Sequence, residues 1–354
     1  MGSIAVVPLD IHKRFSRAVT MGADREILSD EKISHSDPSE MEAFFRSFEA
    51  GTHVLMEATF NWPWIADLAE RAGLSPHLGD PFRISEYSKG LAKSDRKDAV
   101  AEGKLWLAGM FPEAYLAPPE VRRMRGLFRL RLVLVGMRTA MKNTIHGQLH
   151  RMGILIDECS DLFSVRGRGI LDGLEVSGFE RSQLERKLEV LDDLGKRIGS
   201  IGSVIRRDLK ADGRARLLMT LPGVGELTAY AMLVEIGEVA RFPNGRALAA
   251  YAGVLPLENM SADKDYGKRT GWHCNRFLRW AAIEAVSGAV RSSPRMNSLH
   301  SRVRSRNAKR PGKARVAVAR ELLELAHLIL TRKVPYTETP PARPGSDRRK
   351  AAKR

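Results

Sequence analysis

The sequence predicts an α/β region at the N-terminus followed by a mainly helical remainder, and three observations lead there. Short apolar runs of strand length crowd the chain up to Leu78 and are broken by turn residues. Beyond Pro118 and Pro119 the apolar residues recur at helical spacing over stretches longer than any ordinary strand. With 354 residues and 43% hydrophobic content, the chain exceeds one domain of roughly 100–200 residues and has the material for more than one core.

In order, Ile4–Leu9, Phe15–Thr20 and Glu26–Ser34 read as strands of a meander. A helix should start within 36–45, where Asp37 supplies a cap, Pro38 suits the first helical position and Glu40 adds an acid to the first turn. His53–Ala58 reads as a strand, Trp62–Ala72 as a helix, Leu74–Leu78 as a strand and Asp95–Met110 as a helix. Val121–Arg151 then carries Met124, Phe128, Leu132 and Val135 on one helical face. Arg181–Lys210 repeats Leu184, Leu191, Leu194, Ile198, Ile201 and Ile205 close to a heptad seam. Gly195, Gly199 and Gly202 each weaken that helix by roughly 1 kcal/mol against Ala, which favours a short coiled coil or hairpin over a long one. A compact helical domain should begin near Leu217 and close with Val316–Leu330. The expected divisions are 1–112, 113–212, 213–334 and a disordered basic tail, 335–354.

The net charge of +16 calls for a polyanionic partner. An anionic membrane surface competes with nucleic acid for that role, but no Lys-rich helix has a strongly apolar opposite face, so nucleic acid is preferred. No apolar run reaches the roughly 18–20 residues of a membrane span. The first residues lack a basic segment ahead of a long apolar stretch, so no secretory signal is expected. Cys159 and Cys274 have no CxxC spacing, which argues against a disulfide scaffold or thiolate zinc site. The expected location is the cytoplasm, at the bacterial nucleoid.

Asp10 closes the first apolar run, Glu57 lies inside the fourth strand, and Asp95 and Asp98 are three apart on one helical face. Strand-end acids faced by two helical acids can converge on a pocket that repels itself unless protonated or filled by divalent cations. Such ions suit phosphodiester displacement. The bland alternative is a set of solvated acids, with Asp95 and Asp98 serving as cap and first-turn acids of their helix.

The segment 221–229, LPGVGELTA, matches a helix–hairpin–helix pattern, in which the glycines permit close backbone approach and the next helix start can hold a phosphate. A plain packing corner with a glycine turn is the competing reading. Ser261 lies on an expected loop with Lys264, Lys268 and Arg269 nearby, and taken by itself it reads as a solvated serine. His12, two residues after Asp10, reads as a surface histidine rather than a ligand. The tryptophans at 62, 64, 106, 272 and 280 read as packing residues.

Four segments taken together, 9–13 (LDIHK), 55–59 (LMEAT), 93–99 (KSDRKDA) and 221–256, resemble the insertion sequence 110 family of transposases, whose relatives include the Piv-type DNA invertases. The resemblance runs from residue 4 to about residue 330. It implies a RuvC-like, RNase H-like N-terminal domain, a helical coiled-coil linker and a mainly α C-terminal transposase domain. It further implies that Asp10, Glu57, Asp95 and Asp98 form a DEDD site for Mg2+ or Mn2+, and that Ser261 is a nucleophile forming a transient phosphoserine link to DNA. The implied partners are double-stranded donor and target DNA, a structured bridge RNA as guide, and further copies of the chain in a dimer or tetramer. Ala262 departs from the glycine that usually follows the serine. Two other readings remain at this point: a Holliday-junction-type metal nuclease, and a catalytically silent nucleic-acid-binding remnant.

Overall fold

A computed structural model describes residues 4–87, 94–257, 260–261, 264–265, 269–270 and 274–338, with the side chains of residues 256–273 outside that description. The chain divides into two compact units, residues 1–119 and 120–354.

The N-terminal unit is built on a mixed sheet. Strands β1 (Ile4–Ile11), β2 (Phe15–Gly22) and β3 (Ile27–Ser34) form the antiparallel meander. Strand β1 runs two residues past the expected Leu9, because Asp10 and Ile11 still pair with Arg17 and Ser16 of β2. Helix α1 (Pro38–Arg46) starts as anticipated, with the amide of Ser39 donating to Asp37 Oδ1 at 2.9 Å. There follow β4 (His53–Glu57), α2 (Trp62–Arg71), β5 (Ser75–Gly79), α3 (Pro81–Tyr87), α4 (Asp95–Leu107) and the short β6 (Glu113–Ala114). The sheet order is β3-β2-β1-β4-β5-β6, with β4 parallel to both β1 and β5.

Helix α3 was not anticipated, although it carries the same signal as α1: Asp80 accepts from the amide of Phe82 at 3.0 Å, and Pro81 opens the helix. Helix α4 stops at Leu107 rather than Met110, since Gly109 takes φ +67, a conformation glycine adopts without cost. Strand alternation sorts the core onto two faces. Val7, Leu9, Val54 and Met56 pack with Met41, Phe45 and Ile65 of α1 and α2. Val6, Val19, Met21 and Leu55 pack with Ala99 and Val100 of α4.

The second unit is helical. Its two long helices are α5 (Pro119–Arg151) and α7 (Gly178–Ala211), separated by α6 (Val165–Asp172). Ile145 and Leu149 near the end of α5 cluster with Leu184, Leu188 and Leu191 near the start of α7. At the opposite end Phe128 of α5 shares a core with Ile205 and Leu209 of α7, so the pair forms an antiparallel hairpin. Helix α7 runs unbroken through Gly195, Gly199 and Gly202, because burial of its leucine and isoleucine stripe outweighs the helix penalty of the glycines.

Beyond α8 (Gly213–Leu218), helix α9 (Glu226–Ile236) is buried from Thr228 to Ile236, mostly through apolar residues with the charged Glu235 among them, as expected of the central helix of a core. Helix α10 (Gly245–Tyr251) leads to short strands β7 (Pro256–Leu257), β8 (Met260–Ser261), β9 (Lys264–Asp265) and β10 (Arg269–Thr270). Helices α11 (Arg276–Ser292), α12 (Pro294–Arg306) and α13 (Gly312–Arg332) complete the unit. Among the described residues, no helix is long and apolar enough to cross a membrane. Trp62 and Trp64, Trp106, and Trp280 pack against the cores as expected, while Trp272 and most of the basic tail lie outside the described residues.

Candidate functional site

Strand parity is what brings the acids together. On β1, Val6 and Pro8 face α4, so Asp10 continues that face; on β4, Leu55 faces α4, so Glu57 does the same. The two strands are parallel and register Pro8 with Leu55 and Leu9 with Met56, so Asp10 and Glu57 stand side by side at neighbouring strand ends.

Helix α4 supplies the second pair. Its N-cap is Ser94, whose hydroxyl accepts from the amide of Lys97, so neither acid is the cap, while Asp95 and Asp98 both lie in the first turn, as the alternative reading also had it. Arg96 fixes this end of the helix to the sheet through Asp30 of β3, at 2.8 Å, and Asp30 also accepts a bidentate pair of bonds from Arg17. Those bonds from Arg17 are the main reason the Asp30 carboxyl titrates below its usual range.

Asp10, His12 and Asp95 converge, each offering an atom within 4.8 Å of the others. The His12 Nε2 lies 3.1 Å from Asp10 Oδ2 and 3.3 Å from Asp95 Oδ2. Its ring rests on Phe15, centroids 4.6 Å apart, and the Asn61 amide donates to the His12 carbonyl oxygen at 2.9 Å. The Asp10 carboxyl is held above its ordinary range, chiefly by burial; His12 works against that rise, while Asp95 and Asp98 add to it. Asp98 is therefore part of the same charge cluster.

Two members of this cluster were missed in the sequence. His12 is not the isolated surface residue expected there; it bridges two of the acids. The pairing of Asp10 and Ile11 with β2 brings it there, and the local apolar pattern carries no signal of that pairing. Glu102, also on α4, is buried and titrates well above the usual carboxylate range, first through burial and then through Glu57, Asp10 and Asp98. Its spacing of four from Asp98 and seven from Asp95 was the available clue. A donor set of carboxylates with one imidazole is chemically suited to a divalent cation, so Asp10, His12 and Asp95 can hold one.

In the second unit, Ser261 pairs through its backbone with Lys264 across β8 and β9. Its side chain, Ala262 and Lys268 lie outside the described residues. Gly223 and Gly225 do different work. Gly223 has φ +73 and sits against the backbone of α11, where a Cβ would fall 2.2 Å from the Ala285 oxygen. Gly225 is the N-cap of α9 with open space around it. Close approach at Gly223 thus serves helix packing, the role foreseen in the packing-corner reading.

The basic residues of this unit divide as well. Arg125 and Arg129 turn inward to Glu235, while the corner between α12 and α13 exposes Arg302, Arg304, Arg306, Lys309, Arg310 and Lys313. From Ala285 to Arg320 the sequence holds no Asp or Glu, a signal for this basic corner that reading by apolar periodicity passes over.

A family model for DEDD transposases of IS110 matches residues 7–154, and the model of the transposase IS116/IS110/IS902 family matches residues 215–301. The chain belongs to the IS110 family of transposases.

It is thus an enzyme of DNA transposition and recombination. The transposase for insertion sequence element IS1111A of Coxiella burnetii is 27% identical over 273 residues, covering 75% of this chain and 73% of the relative. A probable family 20 transposase of Pseudomonas aeruginosa is 24% identical over 290 residues, covering 77% and 82%. The pilin gene-inverting protein of Moraxella bovis is 28% identical over 125 residues, 35% of this chain and 38% of that protein. Within the IS110 family frame, the first model spans Asp10, Glu57, Asp95 and Asp98, and the second spans Ser261.

Proposed function

We propose that this IS110-family transposase cuts and rejoins double-stranded DNA with a divalent cation, Mg2+ or Mn2+, held by Asp10, Glu57, Asp95 and Asp98 of a RuvC-like domain. His12 stands within reach of the same ion. The observation that carries this reading is the convergence of Asp10, His12 and Asp95 within 4.8 Å, beside an Asp98 whose charge acts on Asp10.

The cation, when bound, neutralises charge on the scissile phosphate and on the attacking and departing oxygens. The protein residues account for the rest. Ser261 loses its hydroxyl proton and attacks phosphorus, one bridging oxygen of the phosphodiester leaves and takes up a proton, and a phosphoserine ester remains. The hydroxyl of a second strand then attacks the same phosphorus and gives up its proton, the serine–phosphorus bond breaks with Ser261 regaining a proton, and the new strand partners are joined.

Guidance would come from a structured bridge RNA, held by shape and backbone while its bases pair with donor and target DNA. The exposed basic residues of the α12–α13 corner would meet these polyanions, with the basic helix 121–151 and the basic stretch 335–354 as the further contacts read from the sequence. Subunits would assemble as a dimer or tetramer, acting at the nucleoid. The likeness to gene-inverting and transposing relatives supports strand rejoining rather than hydrolysis alone.

The test is to incubate the protein with Mg2+, donor DNA and RNA from the element's flanks, then run denaturing gels. A protein–DNA adduct should form with the natural chain and vanish in Ser261→Ala. Cleavage with no adduct would favour the metal-nuclease alternative, and full recombination by Ser261→Ala would remove the nucleophile assignment.

A further inference from the structure

Glu102 occupies the place where α4 presses hardest on the sheet. The neighbouring Gly103 permits that approach: a Cβ there would fall 2.4 Å from Met21 Sδ and 3.1 Å from Pro8 Cγ. The environment is otherwise apolar, with Val6, Val19, Met21, Leu55 and Ala99 forming the local core. In that setting Glu102 is only 3% exposed, and its Oε2 is buried with no hydrogen-bond partner.

An unmatched buried oxygen costs roughly 1–3 kcal/mol, and more if the group is charged. A leucine or methionine would fill similar space without that cost. Packing alone therefore gives no reason for an acid here.

Position supplies one. Asp95, Asp98 and Glu102 are spaced three and four apart, so they line one face of α4. That face meets the strand ends bearing Asp10 and Glu57, and the Glu102 carboxyl lies within charge range of Glu57, Asp10 and Asp98. A hard divalent cation takes six or more oxygen ligands, more than Asp10, His12 and Asp95 provide.

We propose that Glu102 is a further carboxylate donor of the divalent-cation site, approaching the ion from the buried side of α4 and raising its affinity. This rests on reading the cluster as a metal centre. In that arrangement the buried oxygen lacking a hydrogen bond has the ion as its partner, and the apolar wall behind it keeps water from competing. Glu102 acts on the ion, and nothing in the proposal has it touch DNA.

The test uses the full chain and Mn2+ alone. Calorimetric titration gives the affinity, and thermal midpoints with and without Mn2+ give a second readout for the natural protein, Glu102→Gln, Glu102→Leu and Asp10→Asn. Both Glu102 variants should bind Mn2+ about tenfold or more weakly. They should also lose most of the Mn2+-induced rise in midpoint while melting no lower than the natural protein in EDTA. Mn2+ affinity within twofold of the natural protein in both variants, with Asp10→Asn impaired, would overturn the role of Glu102 and leave the metal centre standing. Failure of the natural protein to bind Mn2+ would overturn both. Failure of both Glu102 variants to fold in EDTA would assign the residue a structural role and end the proposal.

Discussion

Gly223 and Gly288 meet backbone to backbone: a Cβ added to Gly288 would lie 2.7 Å from the Gly223 Cα. The turn before α9 and the C-terminal part of α11 are thus locked by two residues that have no side chain. Gly223→Ala should lower stability by roughly 3 kcal/mol, combining strain at φ +73 with a clash against fixed backbone. Gly225→Ala, in open space two residues on, should change it by less than about 1 kcal/mol. Urea denaturation of the two variants measures both. Equal costs would show that the turn is not held by this close approach.

Glu235 is wholly buried and accepts two bonds of 3.0 Å from Arg129, while Asn275 donates to it at 2.7 Å. The Arg125 guanidinium lies 3.6 Å away. Removing the acid takes the ion partner from the mostly buried Arg125 and an acceptor from Asn275, while Arg129, 42% exposed, can turn to water, so Glu235→Ala should cost about 3 kcal/mol. Combining it with Arg129→Leu should recover part of that loss. A double-mutant cycle in urea with no coupling between the two would contradict the network.

Burial, with Asp95 and Asp98 close by, lifts the Asp10 carboxyl above its usual value despite His12. A carboxyl that binds its proton more tightly folded than unfolded contributes fully at pH below about 4, and that contribution fades as pH rises through the lifted value. In EDTA, Asp10→Asn should therefore match the natural protein near pH 4 and melt higher at pH 7. Millimolar Mg2+ or Mn2+ should raise the midpoint of the natural protein at pH 7 and have little effect at low pH. An Asp10→Asn protein that melts lower at pH 7 in EDTA would contradict the self-repelling cluster.

The corner from Arg302 to Lys313 exposes basic side chains in a stretch of sequence without an acid. Neutralising Arg302, Arg306 and Arg310 should weaken binding to duplex DNA or structured RNA evenly across sequences. Each phosphate left without its arginine should reduce the slope of log K against log salt by about 1. An unchanged slope would place the polyanion elsewhere.

The sequence alone determined the division into an α/β region and a helical remainder, because apolar periodicities of two and of 3.6 are local properties. It also determined the family and the order of Asp10, Glu57, Asp95 and Asp98 along the chain. Periodicity likewise carried α7 through its three glycines, whose propensity favours a short coiled coil or hairpin over a long one. Only the tertiary structure decided which side chains meet. His12 joins Asp10 and Asp95 because β1 extends past its apolar run by pairing with β2, a long-range event invisible in the local pattern. Glu102 enters the cluster because Gly103 lets α4 settle onto Pro8 and Met21, and Gly223 serves packing because α11 passes beneath it. Meetings of this kind depend on how distant segments dock, which no window of neighbouring residues encodes.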